Sequence, residues 1–302
     1  MSTANTAPDP YRLFFPLGLA LGFAGLIIWP LAHFGIITGY WGISHAFLQS
    51  NGFLFCFISG FLLTALPRFT GTENPTWPSQ ILLALCITAG SVTIELQSYK
   101  LAQTLYFAAY VIFVVLIAKR FLKRDRQPPD TFALIGYGVL AGAIGAFFNM
   151  LTAFEFAPYG LPTAGKRLLT EGMTLLLVLG VGGFLGPRLL GFDKMNVIQI
   201  AGLPQPANQL IPHRTLYAVS GLIIFISIIM EHMAQLEWMN PLRALVATVV
   251  IAITLEPWRL PLAKTTLARS VWLANIMTIV GLWLAALVPA YRVDMLHVLF
   301  IG

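Results

Sequence analysis

Nine times between Leu13 and Ala290 the chain runs apolar for about 17–25 residues and then breaks on a short polar or charged link. A helix of that length crosses the hydrocarbon core of a bilayer, and it satisfies its own backbone hydrogen bonds there. The fold class that follows is an all-α polytopic membrane protein of about nine to ten transmembrane helices. Only 10% of the residues are charged, too few to coat a water-soluble globule. The expected spans are Leu13–Phe34, Ser44–Leu66, Gln80–Leu96, Leu101–Ala118, Thr131–Phe154, Leu168–Leu190, Arg214–Met233, Pro241–Glu256 and Thr266–Ala290. The long link after Gly191, rich in proline and polar residues, reads as an irregular surface segment.

A second regularity lies across these spans. Shifted by 120 residues, GFLFCFISGFLLTALPRFTG (Gly52–Gly71) lands without a gap on GMTLLLVLGVGGFLGPRLLG (Gly172–Gly191). Gly52, Gly60, Pro67, Arg68 and Gly71 coincide with Gly172, Gly180, Pro187, Arg188 and Gly191. All are residues that punctuate a membrane helix, so the match reads as an internal duplication rather than as shared apolar composition. The two stretches lie four helices apart and run in the same direction, which predicts parallel four-helix repeats. They are expected at about 11–118 and 131–257, with the start of a third at about 266–302. The closing run MLHVLFIG is too short to cross a bilayer and reads as the first turns of a further span, as though the natural chain continued past Gly302. Proline is expected to end each duplicated helix, with Arg68 and Arg188 reaching the headgroups as membrane anchors.

Charge gives orientation. With the N-terminus in the cytoplasm, thirteen of the eighteen Lys and Arg fall inside and five (Lys100, Lys166, Arg167, Arg243, Arg292) outside. Tyr40, Trp41, Tyr99, Tyr159, Trp238 and Tyr291 gather at the outer interface. The net charge of +6 is spread over short loops, so it reads as topology signal and contact with anionic membrane lipid, not as nucleic-acid binding. Cys56 and Cys86 sit inside spans without a CxxC and read as small hydrophobes. The N-terminal stretch carries no basic segment or cleavage signal and reads as a retained tail. No glycine-rich phosphate loop, GxSxG or HExxH is present, which removes support for hydrolytic and nucleotide-driven chemistry.

Four of the five histidines fall at one expected depth: His33, His45, His232 and His297, with only His213 on the other side. Imidazoles at facing helix ends can ligate haem iron or copper, though each alone can equally mark an interface. Glu171, expected about one turn inside its span, is a carboxylate for proton handling or for orienting a ligand histidine; a helix-surface pair with Arg167 is the competing reading. Met230 and Met233 flank His232 with thioethers that suit copper and also suit ordinary packing.

PDPYRLFFPLGL, SHAFLQSNGFLFCFISGFLLTALPRFTG and GVGGFLGPRLLG together resemble the NnrS family, bacterial membrane proteins containing haem and copper and linked to nitric oxide metabolism. The most specific stretch is GFLLTALP-x-x-TG, Gly60–Gly71. Where the family carries a tryptophan, two histidines and an acidic residue ahead of it, this chain has Ser44, His45, Phe47 and Leu48, so only His45 matches. Gln49 and Asn51 are the polar residues left on that turn, and His297 matches a late family histidine. The resemblance implies an inner-membrane protein, its N-terminus cytoplasmic by the charge bias, binding haem and also copper in the nitrosative-stress response; His45 and His297 are its ligands by resemblance, and His232 and His33 join them as candidates by their shared depth. Its partners would be membrane lipid, a gaseous ligand such as nitric oxide and an electron donor. A secondary transporter or channel-like bundle is the alternative, and a structural or sensory subunit a third; each leaves Glu171 and the histidines different work.

Overall fold

The computed structural model describes residues 8–38, 41–192 and 213–301. The tail before Pro8, Tyr40, Lys194 and the link expected to be irregular lie outside them. Ten helices make up the described chain, with no strand: α1 (Tyr11–His33), α2 (Gly42–Thr70), α3 (Trp77–Glu95), α4 (Tyr99–Leu122), α5 (Phe132–Ala153), α6 (Leu161–Leu190), α7 (His213–Met233), α8 (Met239–Leu255), α9 (Thr266–Leu287) and α10 (Arg292–Ile301). Eight are long and apolar enough to cross a membrane, and α8, with 17 residues, is a shorter apolar helix. The chain is a multi-pass membrane protein.

α2 and α6 are the longest helices and extend beyond their sequence boundaries. α2 spans 29 residues and α6 spans 30, the latter beginning at Leu161 rather than Leu168. Pro162 sits in the first turn of α6, where its missing N–H costs nothing, and Lys166 and Arg167 lower the hydropathy without interrupting the backbone. Nor does Pro-Arg end either helix. Pro67 and Pro187 lie inside the last turns, and the helices stop where Gly71 and Gly191 adopt φ of +73° and +81°. That left-handed conformation is cheap only for glycine, which is why the two stretches close on it. Each of these helices also contains a π-helical stretch, Leu48–Leu54 in α2 and Leu168–Gly172 in α6. Leu48 and Leu168 differ by the same 120 positions that superpose the glycine-rich stretches. A π turn widens the helix and re-aims the side chains around it.

The helices form two units: α1–α4 with the second half of α5, and the first half of α5 with α6–α10. In the first unit α1 meets α2 along Gly18, Gly22 and Gly25, all buried. A Cβ at Gly22 would stand 2.8 Å from the Phe53 ring, and one at Gly25 2.7 Å from the Gln49 amide. Small residues of this kind let membrane helices approach at backbone distance. At the start of α1 Asp9 accepts hydrogen bonds from Arg68 (3.2 Å) and Asn74 (3.1 Å), tying the N-terminal segment to the end of α2. Arg68 is thus ion-paired within the protein, whereas the Arg188 guanidinium lies 4.5 Å over the Phe184 ring. In the second unit Gly281 plays the same packing part, since a Cβ there would meet the Leu299 backbone nitrogen at 2.9 Å, which seats α10 against α9.

Candidate functional site

Gly25 and Gly22 do more than permit packing, because their bare backbone leaves carbonyls accessible to side chains of α2. His45 Nδ1 lies 2.9 Å from the Gly25 carbonyl, and Gln49, one turn on, donates to the Gly22 carbonyl at 2.9 Å. The Trp29 indole N–H also reaches His45 Nδ1 at 3.1 Å, with its ring edge-on to the imidazole. With the proton on Nδ1 the imidazole donates to Gly25 and Nε2 keeps its lone pair with no protein partner, the usual anchoring of a ligand histidine; with Nδ1 bare, it accepts from Trp29 instead and the proton sits on Nε2. Gln49 is therefore a helix tie beside His45. His297 on α10 repeats the anchoring through its own helix, with Nδ1 2.8 Å from the Val293 carbonyl and its side chain exposed. His33 is exposed and stands edge-on to Phe34.

The densest polar construction lies in the second unit. Glu171, on the π turn of α6, is 1% exposed and bonded on both oxygens: Oε1 accepts from Arg243 Nε at 2.7 Å and Oε2 from Arg292 Nη2 at 2.8 Å. Glu231 near the end of α7 closes the ring. Its Oε2 accepts from Arg243 at 2.8 Å and from Arg292 at 3.3 Å, and its Oε1 accepts from Arg292 Nη1. Arg243, fully buried, further donates to Asn240 Oδ1 at 2.9 Å and Ser227 Oγ at 3.2 Å. Two carboxylates and two guanidiniums thus neutralise one another away from water, and every carboxylate oxygen has a donor. Charges enclosed like this are tolerated only when paired and hydrogen-bonded. Glu171 stands ten residues into α6, nearly three turns deep, and its partners come from α8 and α10 rather than from Arg167.

His232 borders this ring, with Nε2 3.9 Å from Glu231 and no hydrogen bond although shielded from solvent. Met230 and Met233 are about two-fifths exposed, at 39% and 40%. Among the described residues no three His, Cys, Asp or Glu side chains converge as a metal-holding group. Sequence reasoning placed Arg243 and Arg292 among interfacial charges and passed over Ser227 and Asn240. The overlooked signal was Asn240 and Arg243, one turn apart near the start of an otherwise apolar run, where a charge is a site until shown otherwise.

The first unit carries a counterpart without arginines. Asn51, 1% exposed, sits on the π turn of α2 where Glu171 sits on that of α6. Ser91 and Glu95 on α3 share the one-turn spacing of Ser227 and Glu231 on α7. The Ser91 hydroxyl meets the Tyr106 hydroxyl at 3.1 Å, as Ser227 meets Arg243.

Neither a curated protein nor a solved structure matches the chain. A family model described as NnrS protein matches residues 7–302, which takes in α1, both π-containing helices, His45, the ion ring and His297. By that match over nearly its whole length, the chain belongs to the NnrS family.

Proposed function

We propose that this chain is a haem-binding protein of the bacterial inner membrane, N-terminus in the cytoplasm, that engages nitric oxide in the nitrosative-stress response. The observation that carries this reading is the setting of His45: Nδ1 faces a peptide carbonyl at 2.9 Å and Nε2 has no protein partner. On the Nδ1–H tautomer, donation to the Gly25 carbonyl leaves the Nε2 lone pair open to iron and raises the basicity of that nitrogen. His297, with Nδ1 2.8 Å from Val293, is a second imidazole of the same kind. An imidazole set in this way fits a haem, which needs one or two axial nitrogens. For copper, no group of three His, Cys, Asp or Glu side chains forms among the described residues, and the thioethers of Met230 and Met233 beside His232 are the donors that would suit it. Bound haem would supply an iron coordination position for a small diatomic ligand. The protein's part is to hold the ring: Gly25 and Trp29 orient His45, and Gln49 keeps α1 and α2 at the distance that makes this contact.

The test is an absorption spectrum of the detergent-purified chain from haem-replete cells, oxidised, dithionite-reduced and reduced with nitric oxide, with metal analysis of the same sample. A Soret band that shifts at each step, and that disappears in a helical, monodisperse His45→Ala variant, is the expected result. A featureless spectrum would overturn the reading.

A further inference from the structure

We propose that Arg167, together with Arg292 and His232, forms a binding site for a small oxyanion or carboxylate at the edge of the buried ion ring. The argument begins from a charge imbalance. Arg243 and Arg292 already occupy all four oxygens of Glu171 and Glu231. Arg167, half-buried on α6 immediately before the π turn, lies within electrostatic range of all four of those groups and makes no hydrogen bond or ion pair. The cluster therefore holds three guanidiniums and two carboxylates, one positive charge in excess. Such a charge at the edge of an enclosed ion ring is suited to a counter-anion.

Two further nitrogens point the same way. Arg292 is 7% exposed, and its Nε is enclosed without an acceptor; His232 Nε2 is enclosed without a partner as well. Arg292 Nε is a donor there, and His232 Nε2 becomes one when it carries the proton; a ligand or water between them would complete both. One group with two acceptor oxygens would answer these openings and the excess charge together, and a guanidinium fork is the donor best matched to it.

The first unit shows what the position looks like without that task. Phe47 stands immediately before the π turn of α2, as Arg167 does in α6. Its ring stacks on Tyr106 with centroids 6.3 Å apart, and Tyr106 bonds Ser91 as Arg243 bonds Ser227. Where one unit fills the place with two rings in contact, the other sets Arg167 there without a protein partner.

This inference is independent of the haem reading, and its experiment reads no haem. The full-length protein is purified in neutral detergent with chloride as the only anion, and its thermal midpoint is followed as chloride is replaced by formate at constant ionic strength. The expected result is a midpoint that rises with formate in the wild type and stays flat in Arg167→Gln. Arg167→Phe, which installs the residue of the other unit, is expected to match or exceed wild-type stability in chloride and to ignore formate. A tightly held carboxylate from a resident prosthetic group or lipid would instead leave the wild type insensitive. Mass spectrometry of the denatured protein would then find an organic carboxylate that Arg167→Gln has lost. A wild type that ignores formate, with identical extracts from wild type and Arg167→Gln, would overturn the proposal. So would Arg167→Phe and Arg167→Gln both losing stability in chloride while keeping the formate response.

Discussion

Replacing Arg243 by leucine tests the ion ring most directly. The substitution keeps an apolar side chain in a fully buried position but removes four hydrogen bonds: to Glu171 at 2.7 Å, Glu231 at 2.8 Å, Asn240 at 2.9 Å and Ser227 at 3.2 Å. Glu171 and Glu231 must then share Arg292. Removing one partner of a buried ion pair costs about 3–5 kcal/mol, because the other charge stays buried without compensation. Two effects pull that figure down. Arg167 returns part of the lost attraction over a longer distance. Hydrogen bonds between membrane helices are also weak by double-mutant cycle, about 0.6 kcal/mol on average, since the unfolded chain in lipid finds other partners. The enclosed carboxylate decides the balance, because no alternative donor reaches Glu171 Oε1. We expect Arg243→Leu to destabilise by about 3 kcal/mol, roughly a hundredfold in the unfolding equilibrium. The assay is reversible unfolding in mixed micelles, read by helical circular dichroism. Glu171→Gln added to Arg243→Leu removes the orphaned charge, so the double variant is expected to be more stable than Arg243→Leu alone. A loss below about 1 kcal/mol, or additive effects of the two substitutions, would refute the ring as a coupled unit.

Gly25→Ala is expected to destabilise by about 1–3 kcal/mol through overpacking and to weaken any cofactor held by His45. The added methyl would meet Gln49 at 2.7 Å and Leu48 at 3.0 Å, and the readouts are unfolding and spectral occupancy in one preparation. Gly191→Ala, at φ +81°, is expected to cost about 1–2 kcal/mol by the left-handed penalty alone, measured by the same unfolding. At the surface the Lys100 ammonium, 3.0 Å away, holds the Glu155 carboxyl below its ordinary value. The stability this pair adds is present above the unfolded carboxyl value and is lost as pH falls through the depressed one. Lys100→Ala should therefore return Glu155 to ordinary titration by carbonyl NMR, while a titration unchanged by Lys100→Ala would show that another group depresses it.

The helix count and the membrane class were legible because apolar run length maps directly onto bilayer thickness. Boundaries were less so. Hydropathy sees Lys166 and Arg167 as the end of a span, whereas a helix continues through any residue whose backbone can hydrogen-bond, and only Gly71 and Gly191, by turning left-handed, stop it. His45, Gln49 and Glu171 stood out in sequence as polar residues in apolar runs. Their partners did not, because Gly22 and Gly25 act through carbonyls that no side-chain motif reports. Arg243 and Arg292 were hidden for a different reason. Each lies near a helix end, where snorkelling to the interface is the ordinary fate of arginine, and only the third dimension shows that each turns inward to a carboxylate.

The π turns connect these observations. In a regular α-helix a carboxylate at Glu171 would lie one turn above Arg167 on the same face, the geometry of a surface pair. The π stretch Leu168–Gly172 begins directly after Arg167 and contains Glu171, which enters the interior toward α8 and α10 while Arg167 is left at the edge without a carboxylate. The stretch Leu48–Leu54 likewise begins directly after Phe47 and contains Asn51, which is buried. The same backbone distortion thus serves an interior without arginines in one unit and an ion ring in the other. Its retention with unlike side chains argues that the distortion is set by helix packing around Gly52 and Gly172, not by the charges. Straightening α6 should then be possible without touching the ion ring's chemistry. Deleting Thr170, a half-exposed residue of the π stretch, would restore the α register with Glu171 still facing α8 and α10. The predicted outcome is a folded protein in which Arg243→Leu still costs about 3 kcal/mol, because Glu171, Glu231, Asn240 and Ser227 keep their places around Arg243. A cost below about 1 kcal/mol in the deletion background would show that the π turn itself aims Glu171 inward.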